Sequence, residues 1–367
     1  MRFLHTADWQ IGMKARHAGR AADTVREARL ESARRVIELA RERGAAFTVL
    51  AGDTFEDNAV DRVLVQRVVD ILARSSVPVF VLPGNHDPLV PGSVFDHPAW
   101  ASAKGVVTVL REAAPVPVPG GGTLFPCPLS EKTGAKDPTE AIPPPRAPGG
   151  GIRVGVAHGT LLGVGVDSEN EFPIPLDAAG RRQVDYLAIG HWHSTFVPDA
   201  AARVAYSGTH ETTKFGERDS GNALVVEIAE RGAPPRFEKI RTGALAWRQE
   251  RRQCLSAADV EALRREVESI PDPEKTLVHL RLEGALGADA LAATERVDEI
   301  LAARFLHGRV DREALFLAPG DTAWIDALPP GPVQAAARRL AQSGDADAVA
   351  REALVRLYGY AREGGGA

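Results

Sequence analysis

Cysteine is nearly absent. Among 367 residues only Cys127 and Cys254 occur, and they stand at no metal-like spacing. That excludes a disulfide framework, and a reducing, cytoplasmic compartment is the expectation. No apolar run approaches the roughly 20 residues that span a bilayer. The N-terminus enters an apolar strand directly, so no signal peptide is expected. An excess of positive charge is also missing: 44 Lys and Arg face 49 Asp and Glu, a net charge of −5. A nucleic-acid substrate would have to be drawn by a local groove and by bound metal ions. No internal repeat is visible. What is present is ordinary for a globular protein, 44% hydrophobic and 25% charged. The length suits two domains, or one large domain with appendages.

Five short polar segments break this ordinariness. They are Asp8-Trp9-Gln10, Gly52-Asp53, Gly84-Asn85-His86-Asp87, His158-Gly159 and Gly190-His191-Trp192-His193. Each follows an apolar run that reads as a strand: Arg2–His5, Phe47–Leu50, Val77–Leu82, Ile152–Val156 and Tyr186–Ile189. Strand ends can bring loops from distant parts of a chain to one point. Carboxylate, amide carbonyl and imidazole are ligand types that suit manganese, iron(II) or zinc.

The spaced set resembles the calcineurin-like metallophosphoesterase superfamily, and within it the SbcD-like DNA repair nucleases. The opening Met1–Trp9 reads like the start of such a nuclease subunit. The resemblance implies a four-layer α-β-β-α sandwich over the first two thirds of the chain, followed by a small capping domain. It implies two divalent ions, manganese foremost with magnesium, iron(II) or zinc as alternatives. Asp8, Gln10, Asp53 and His193 would hold the first, and Asp53, Asn85, His158 and His191 the second, with Asp53 bridging. The ions would clamp a phosphodiester and activate a water, with no protein nucleophile. His86 would assist the leaving oxygen, and Asp87 would orient His86. His210 would contact substrate. Histidine is the family's residue at position 10, and the amide of Gln10 is a poorer donor, so the first ion is expected to bind more weakly.

Other residues read as structural or solvated. His5 reads as structural. Trp9 and Trp192 read as core packing beside the site, with base stacking the alternative. The arginines along Thr24–Arg43 read as a solvated helix face.

Helices are expected at Thr24–Arg43, ending at Gly44, and at Arg62–Ser75. Strands are expected at Val106–Leu110 and Thr123–Pro126. Ten prolines and two glycine triplets between Pro115 and Gly151 predict a mobile surface loop over Lys132–Gly151. Asn222–Ile228 and Arg236–Thr242 read as strands closing the second sheet. Composition changes at Arg248–Arg252, which places a domain boundary near residue 250; the resemblance then implies a catalytic domain at 1–250 and a DNA-contacting capping domain at 251–330. The cap reads as helix Ala257–Ser269, strand Thr276–Leu282, helix Asp289–Arg304 and strand Leu315–Leu317. Residues 331–367 read as helices Val333–Gln342 and Ala346–Glu363.

The function expected is a metal-dependent DNA exonuclease acting on duplex ends in repair. The resemblance implies an SMC-like ATPase of the SbcC type as partner, attached at the C-terminal helices, and a homodimer formed through the catalytic domain. A small-molecule phosphodiesterase or phosphatase is the alternative, as is a weakened subunit that only binds DNA ends.

Overall fold

The computed structural model describes residues 1–145, 150–164, 170–199, 202–319, 321–343 and 347–364. The chain divides into two compact units, Met1–Leu245 and Ala246–Ala367.

The first unit is built from two sheets. In chain order its elements begin with β1 (Arg2–Thr6), α1 (Ala22–Glu42), β2 (Thr48–Ala51), α2 (Arg62–Leu72), β3 (Val79–Leu82) and β4 (Val107–Val109). They continue with β5 (Val116–Val118), β6 (Gly122–Pro126), β7 (Arg153–His158), α3 (Ala178–Arg181), β8 (Tyr186–Gly190), β9 (Val204–Tyr206), β10 (Asn222–Glu227) and β11 (Arg236–Arg241). One sheet runs β11-β10-β1-β2-β3-β4 and the other β5-β6-β7-β8-β9. Strands β1 to β4 are mutually parallel, as are β6 to β9. All of these lie where helical crossovers or long connections can return the chain in the same direction.

Alternation of side chains sorts the core into layers. Phe3, Phe47, Val49, Phe80 and Leu82 of the first sheet meet Leu124, Val154, Val156, Tyr186 and Ala188 of the second. On the outer face of the first sheet, Leu4, Leu50, Val79 and Val81 pack under Leu30, Val36, Ile37 and Ala40 of α1 and Val65, Val68 and Leu72 of α2. The outer face of the second is covered by Leu161, Ile174, Ala178 and Val184. This is the expected α-β-β-α sandwich. Helix α1 ends as its sequence predicts: Gly44 follows with φ 61°, the left-handed stop a glycine tolerates.

Two expectations for this unit are corrected. Strands β10 and β11 close the first sheet, not the second. Antiparallel pairing from Arg2↔Glu227 to His5↔Leu224 fills the edge of β1 that would otherwise be open. The stretch from Lys132 is also better anchored than a mobile loop. Asp137 caps a short 3-10 turn at Pro138–Ala141, Thr139 and Ile142 are buried, and Arg182 reaches Asp137 at 3.4 Å. The end of that stretch, residues 146–149, lies outside the described residues, as do Ala346 and the final residues 365–367 of the expected tail.

The second unit contains β12 (Ala246–Cys254), α4 (Ala257–Glu268), β13 (Thr276–Leu286), α5 (Ala288–Ala293), α6 (Glu295–Arg304), β14 (His307–Leu317), α7 (Ala323–Asp326), α8 (Pro332–Gln342) and α9 (Ala348–Gly364). Its parallel sheet runs β12-β13-β14 and packs Val278, Leu280 and Leu282 against Val260, Leu263 and Val267 of α4 and Val297 and Leu301 of α6. Helix α4 begins with a reciprocal capping box between Ser256 and Asp259.

The division falls at Leu245, because the basic stretch Arg248–Arg252 is itself an edge strand. Its charged side chains conceal it from a hydrophobic pattern, and it is held by ion pairs such as Arg251–Glu283 and Arg252–Glu266. The helix expected over Asp289–Arg304 breaks at Thr294, whose hydroxyl donates to the Leu291 carbonyl at 2.7 Å. No helix among the described residues is long and apolar enough to cross a membrane.

His5 is structural, as expected. It is fully buried between the sheets, with Nδ1 2.8 Å from the Tyr186 hydroxyl. Burial lowers its pKa from the ordinary 6.5 to about 3. Between those values the unfolded chain binds a proton that the folded chain refuses. Stability should therefore fall as pH drops below 6.5, by up to about 1.4 kcal/mol per pH unit. Urea unfolding at pH 7, 6 and 5 should show a steeper loss in the parent than in His5→Gln. Parallel pH profiles would remove this account.

Candidate metal centre

The five polar segments meet at the carboxyl ends of β1, β2, β3, β7 and β8, where parallel strands leave their loops together. Backbone bonds lace the loops. Asp8 N–H donates to Gly52 O at 3.1 Å, Gln10 N–H to Asp53 O at 2.9 Å, and Gly159 N–H to Gly190 O at 3.2 Å. Side chains must leave these loops inward over a short distance, and the backbone is bent accordingly. Asp8, Gln10, Asp53 and His191 all have positive φ, at 54°, 46°, 53° and 112°. Such conformations are costly for residues other than glycine and cluster at functional sites. Two glycines are fixed by crowding. A Cβ on Gly52 would lie 2.1 Å from His158 Nδ1, and one on Gly84 2.2 Å from Asp53 Oδ1.

Asp53 is the hub. Its Oδ1 accepts from the His86 backbone N–H at 2.9 Å. Its Oδ2 accepts from Gln10 Nε2 at 2.9 Å and lies 3.3 Å from His158 Nε2 and 4.0 Å from His86 Nε2. Burial alone would raise its pKa, but the charges of His158 and His86 and their hydrogen bonds outweigh burial and hold it below the usual carboxylate range. His158 donates Nδ1–H to the Ala51 carbonyl at 2.9 Å, which turns Nε2 toward the site. There Nε2 lies 2.9 Å from Asn85 Oδ1, and His191 Nδ1 approaches the same oxygen at 3.2 Å. His193 is held from behind by Glu217 Oε1 at 2.7 Å and Thr213 Oγ1 at 3.1 Å, both on Nδ1, which leaves Nε2 as its available nitrogen.

Asp8 supplies the test of whether this set fits a cation. Its Oδ1 accepts from His191 N–H at 2.9 Å, but Oδ2 is buried with no hydrogen-bond partner. An orphaned carboxylate oxygen in a dry site is expensive unless a positive charge meets it. Burial pushes the Asp8 pKa up to about 6, whereas Asp53 pulls His158 up to about 9 against its own burial. Both shifts say that the site favours positive charge among its oxygens. Donor atoms of Asp8, Asp53 and His158 lie within 4.8 Å of one another. The mixed nitrogen and oxygen set fits a divalent ion.

The structure therefore brings Asp8, Gln10, Asp53, Asn85, His86, His158, His191 and His193 together. Four roles differ from expectation. Gln10 turns its amide nitrogen, not its oxygen, to Asp53, so it serves that carboxylate as a donor. Asp87 does not orient His86. Its oxygens accept from the N–H groups of Phe55 at 3.0 Å and Gly84 at 2.7 Å, and so pin two site loops together. His86 is instead oriented by the Glu56 carbonyl, 2.9 Å from Nδ1. His210 cannot touch substrate: it is fully buried, its ring tilted 31° against Trp9 at 5.0 Å between centroids, with Nε2 2.8 Å from the Arg29 carbonyl. Trp9 is sealed in the core as expected, but Trp192 is not; 38% of it is exposed.

Arg29 departs from the solvated helix face expected for the arginines along Thr24–Arg43. Its guanidinium is buried and donates to the carbonyls of Trp9 at 3.0 Å and Glu211 at 2.7 Å and to Thr209 Oγ1 at 3.2 Å. It thus clamps the strained Asp8–Gln10 loop onto α1. A signal existed, since Arg29 falls between Val25 and Ala33 on the buried face of that helix. Glu217 had none, because only the fold carries its loop to His193.

A strand-end centre of carboxylates, an amide and imidazoles defines the class as a metal-dependent hydrolase site. The sequence pattern of the calcineurin-like phosphoesterases matches residues 1–195, more than half of the chain, and the chain belongs to that family. Its members bind divalent metals and hydrolyse phosphoesters. One solved crystal structure, 10% identical, aligns with 65% of this chain and 98% of its own at a TM-score of 0.38.

Glu217→Gln should lower affinity for a divalent ion roughly 10- to 100-fold, the usual effect of losing a carboxylate behind a ligating histidine. Calorimetric titration checks this, and an unchanged isotherm would free the metal from any dependence on Glu217. In the same titration Gln10→His should tighten the weaker binding step, because imidazole adds a lone-pair ligand where the amide N–H now donates a hydrogen bond to Asp53. An identical curve would show that position 10 contributes nothing to the ion.

Proposed function

We propose that this chain is a metal-dependent DNA nuclease of the SbcD-like kind, an exonuclease at duplex ends in repair, using manganese. The observation that carries the hydrolytic part is His86. Its side chain is 40% exposed beside buried Asp53, and its Nδ1 is committed to the Glu56 carbonyl. Nε2 is then the nitrogen that faces the site and can hand a proton to the leaving oxygen.

Divalent ions held by Asp8, Asp53, Asn85, His158, His191 and His193 would polarise the phosphate and acidify a water. The remaining work belongs to the chain. Asn85 is a neutral ligand, so the site's charge stays low enough to admit an anionic diester. Asp87 locks the loops that carry Asp53 and His86 by accepting from Phe55 and Gly84. Arg29 and Glu217 hold the Asp8 loop and His193 in place.

Support for DNA comes from the opening segment Met1–Trp9 and from the second unit. That unit has its own core of Leu280, Leu282, Leu263 and Val297. A small diester would need no such addition, whereas grip on a long polymer requires more surface. We assign the attachment of an SMC-like ATPase to the tail helices, where Val333, Val349 and Tyr360 are exposed.

End-labelled linear duplex should be degraded with manganese and spared with EDTA. His86→Ala should lose about 10²–10⁴ in rate, the usual worth of a general acid, while its manganese content stays at the parent level. A parent that hydrolyses bis-p-nitrophenyl phosphate but leaves every DNA intact would instead point to a small-molecule diesterase.

A further inference from the structure

Trp192 stands between two site histidines, and its ring is open to water. The segment around it is rigid on both sides. His191 N–H is bonded to Asp8, the His193 carbonyl accepts from Thr209 N–H at 2.9 Å, and the His193 ring is held by Glu217. The backbone that carries the indole is therefore held on both sides, while 38% of the residue is exposed. Trp192 forms one wall of a cavity of about 450 Å³ that also borders His191 and His193. The other walls include Val164, Tyr206, Phe215 and Lys214. That volume falls within the roughly 300–1,000 Å³ of small-molecule sites.

The cavity's chemistry narrows its occupant. A flat aromatic wall with apolar neighbours suits a planar ring system. Glu171 also lines the cavity, with Oε2 3.4 Å from His191 Nε2, and a carboxylate can accept from ring or exocyclic N–H groups. The adjoining centre requires that the same molecule carry a phosphate. A nucleobase joined to a phosphate through a sugar meets all three conditions.

We propose that this cavity is a nucleobase pocket, in which the base of the nucleotide at the scissile phosphate stacks on Trp192. The proposal takes its polymer substrate from the nuclease reading above. A base lodged there is unpaired from its complement, so the end nucleotide is frayed or single-stranded when it is cut.

The test compares dAMP with 2-deoxyribose 5-phosphate, which carries the same phosphate and sugar without a base. Each is titrated calorimetrically into the manganese-loaded chain. The parent should bind dAMP more tightly by roughly 5- to 150-fold, the measured worth of one base stacked on an aromatic side chain. Trp192→Ala should bind the two equally, and Trp192→Phe should keep most of the preference. Equal binding by the parent, or an undiminished preference in Trp192→Ala, overturns the pocket. The two readings fail separately. A base preference that depends on Trp192 in a protein that leaves DNA intact upholds the pocket and removes the nuclease. DNA degradation with no base preference does the reverse.

Discussion

The first unit is organised around a buried carboxylate that cannot stand alone. Asp53 sits in a left-handed turn with one oxygen on the His86 amide and the other among Gln10, His158 and His86. An ionised carboxylate in a dry interior survives only if positive charge and hydrogen bonds surround it. Each neighbour is supplied by a different loop. The requirement to neutralise one side chain therefore fixes the ends of several strands relative to one another.

The two sheets make that convergence affordable. Parallel strands release their loops on one side, and stacking the sheets face to face brings the loops of β1 to β3 against those of β7 and β8. The cost appears as positive φ at Asp8, Gln10, Asp53 and His191, and as glycines where any side chain would strike His158 or Asp53. Buried polar groups outside the site carry part of the load. Arg29 satisfies carbonyls of the Asp8 loop, while Glu211 accepts from Ser32 at 2.7 Å and so ties α1 to the segment after β9. Removing such a group would leave several backbone carbonyls unpaired at once.

Orientation of the histidines follows a common rule with different partners. His158 is set by the Ala51 carbonyl, His86 by the Glu56 carbonyl and His193 by the Glu217 carboxylate. In each case the bonded nitrogen is Nδ1, so Nε2 is the atom presented to the site. His191 departs from this, offering Nδ1 toward Asn85 and directing Nε2 to Glu171 at 3.4 Å. Burial and the nearby charge of His158 lower its pKa to about 4, which keeps its ring neutral, the form that can donate a lone pair.

The residues that form the centre were legible in the sequence because each ends a short apolar strand, and local pattern is enough to find a strand end. Helix α1, its stop at Gly44 and the β-α-β-α-β opening were legible for the same reason. The pairing of β10 with β1 was not, since hydrophobic alternation says that a strand has a buried face but not which edge it joins. Strand β12 was hidden because its charges are satisfied by α4 and β13, partners no local pattern names. His210 and Trp192 exchanged roles for a similar reason: whether a ring is sealed or open depends on what packs across it. Sequence fixes the donors along the chain. Only the tertiary structure decides which Nδ1 is tied, which carboxylate oxygen is orphaned and which indole faces water, because those are properties of neighbours far apart in the chain.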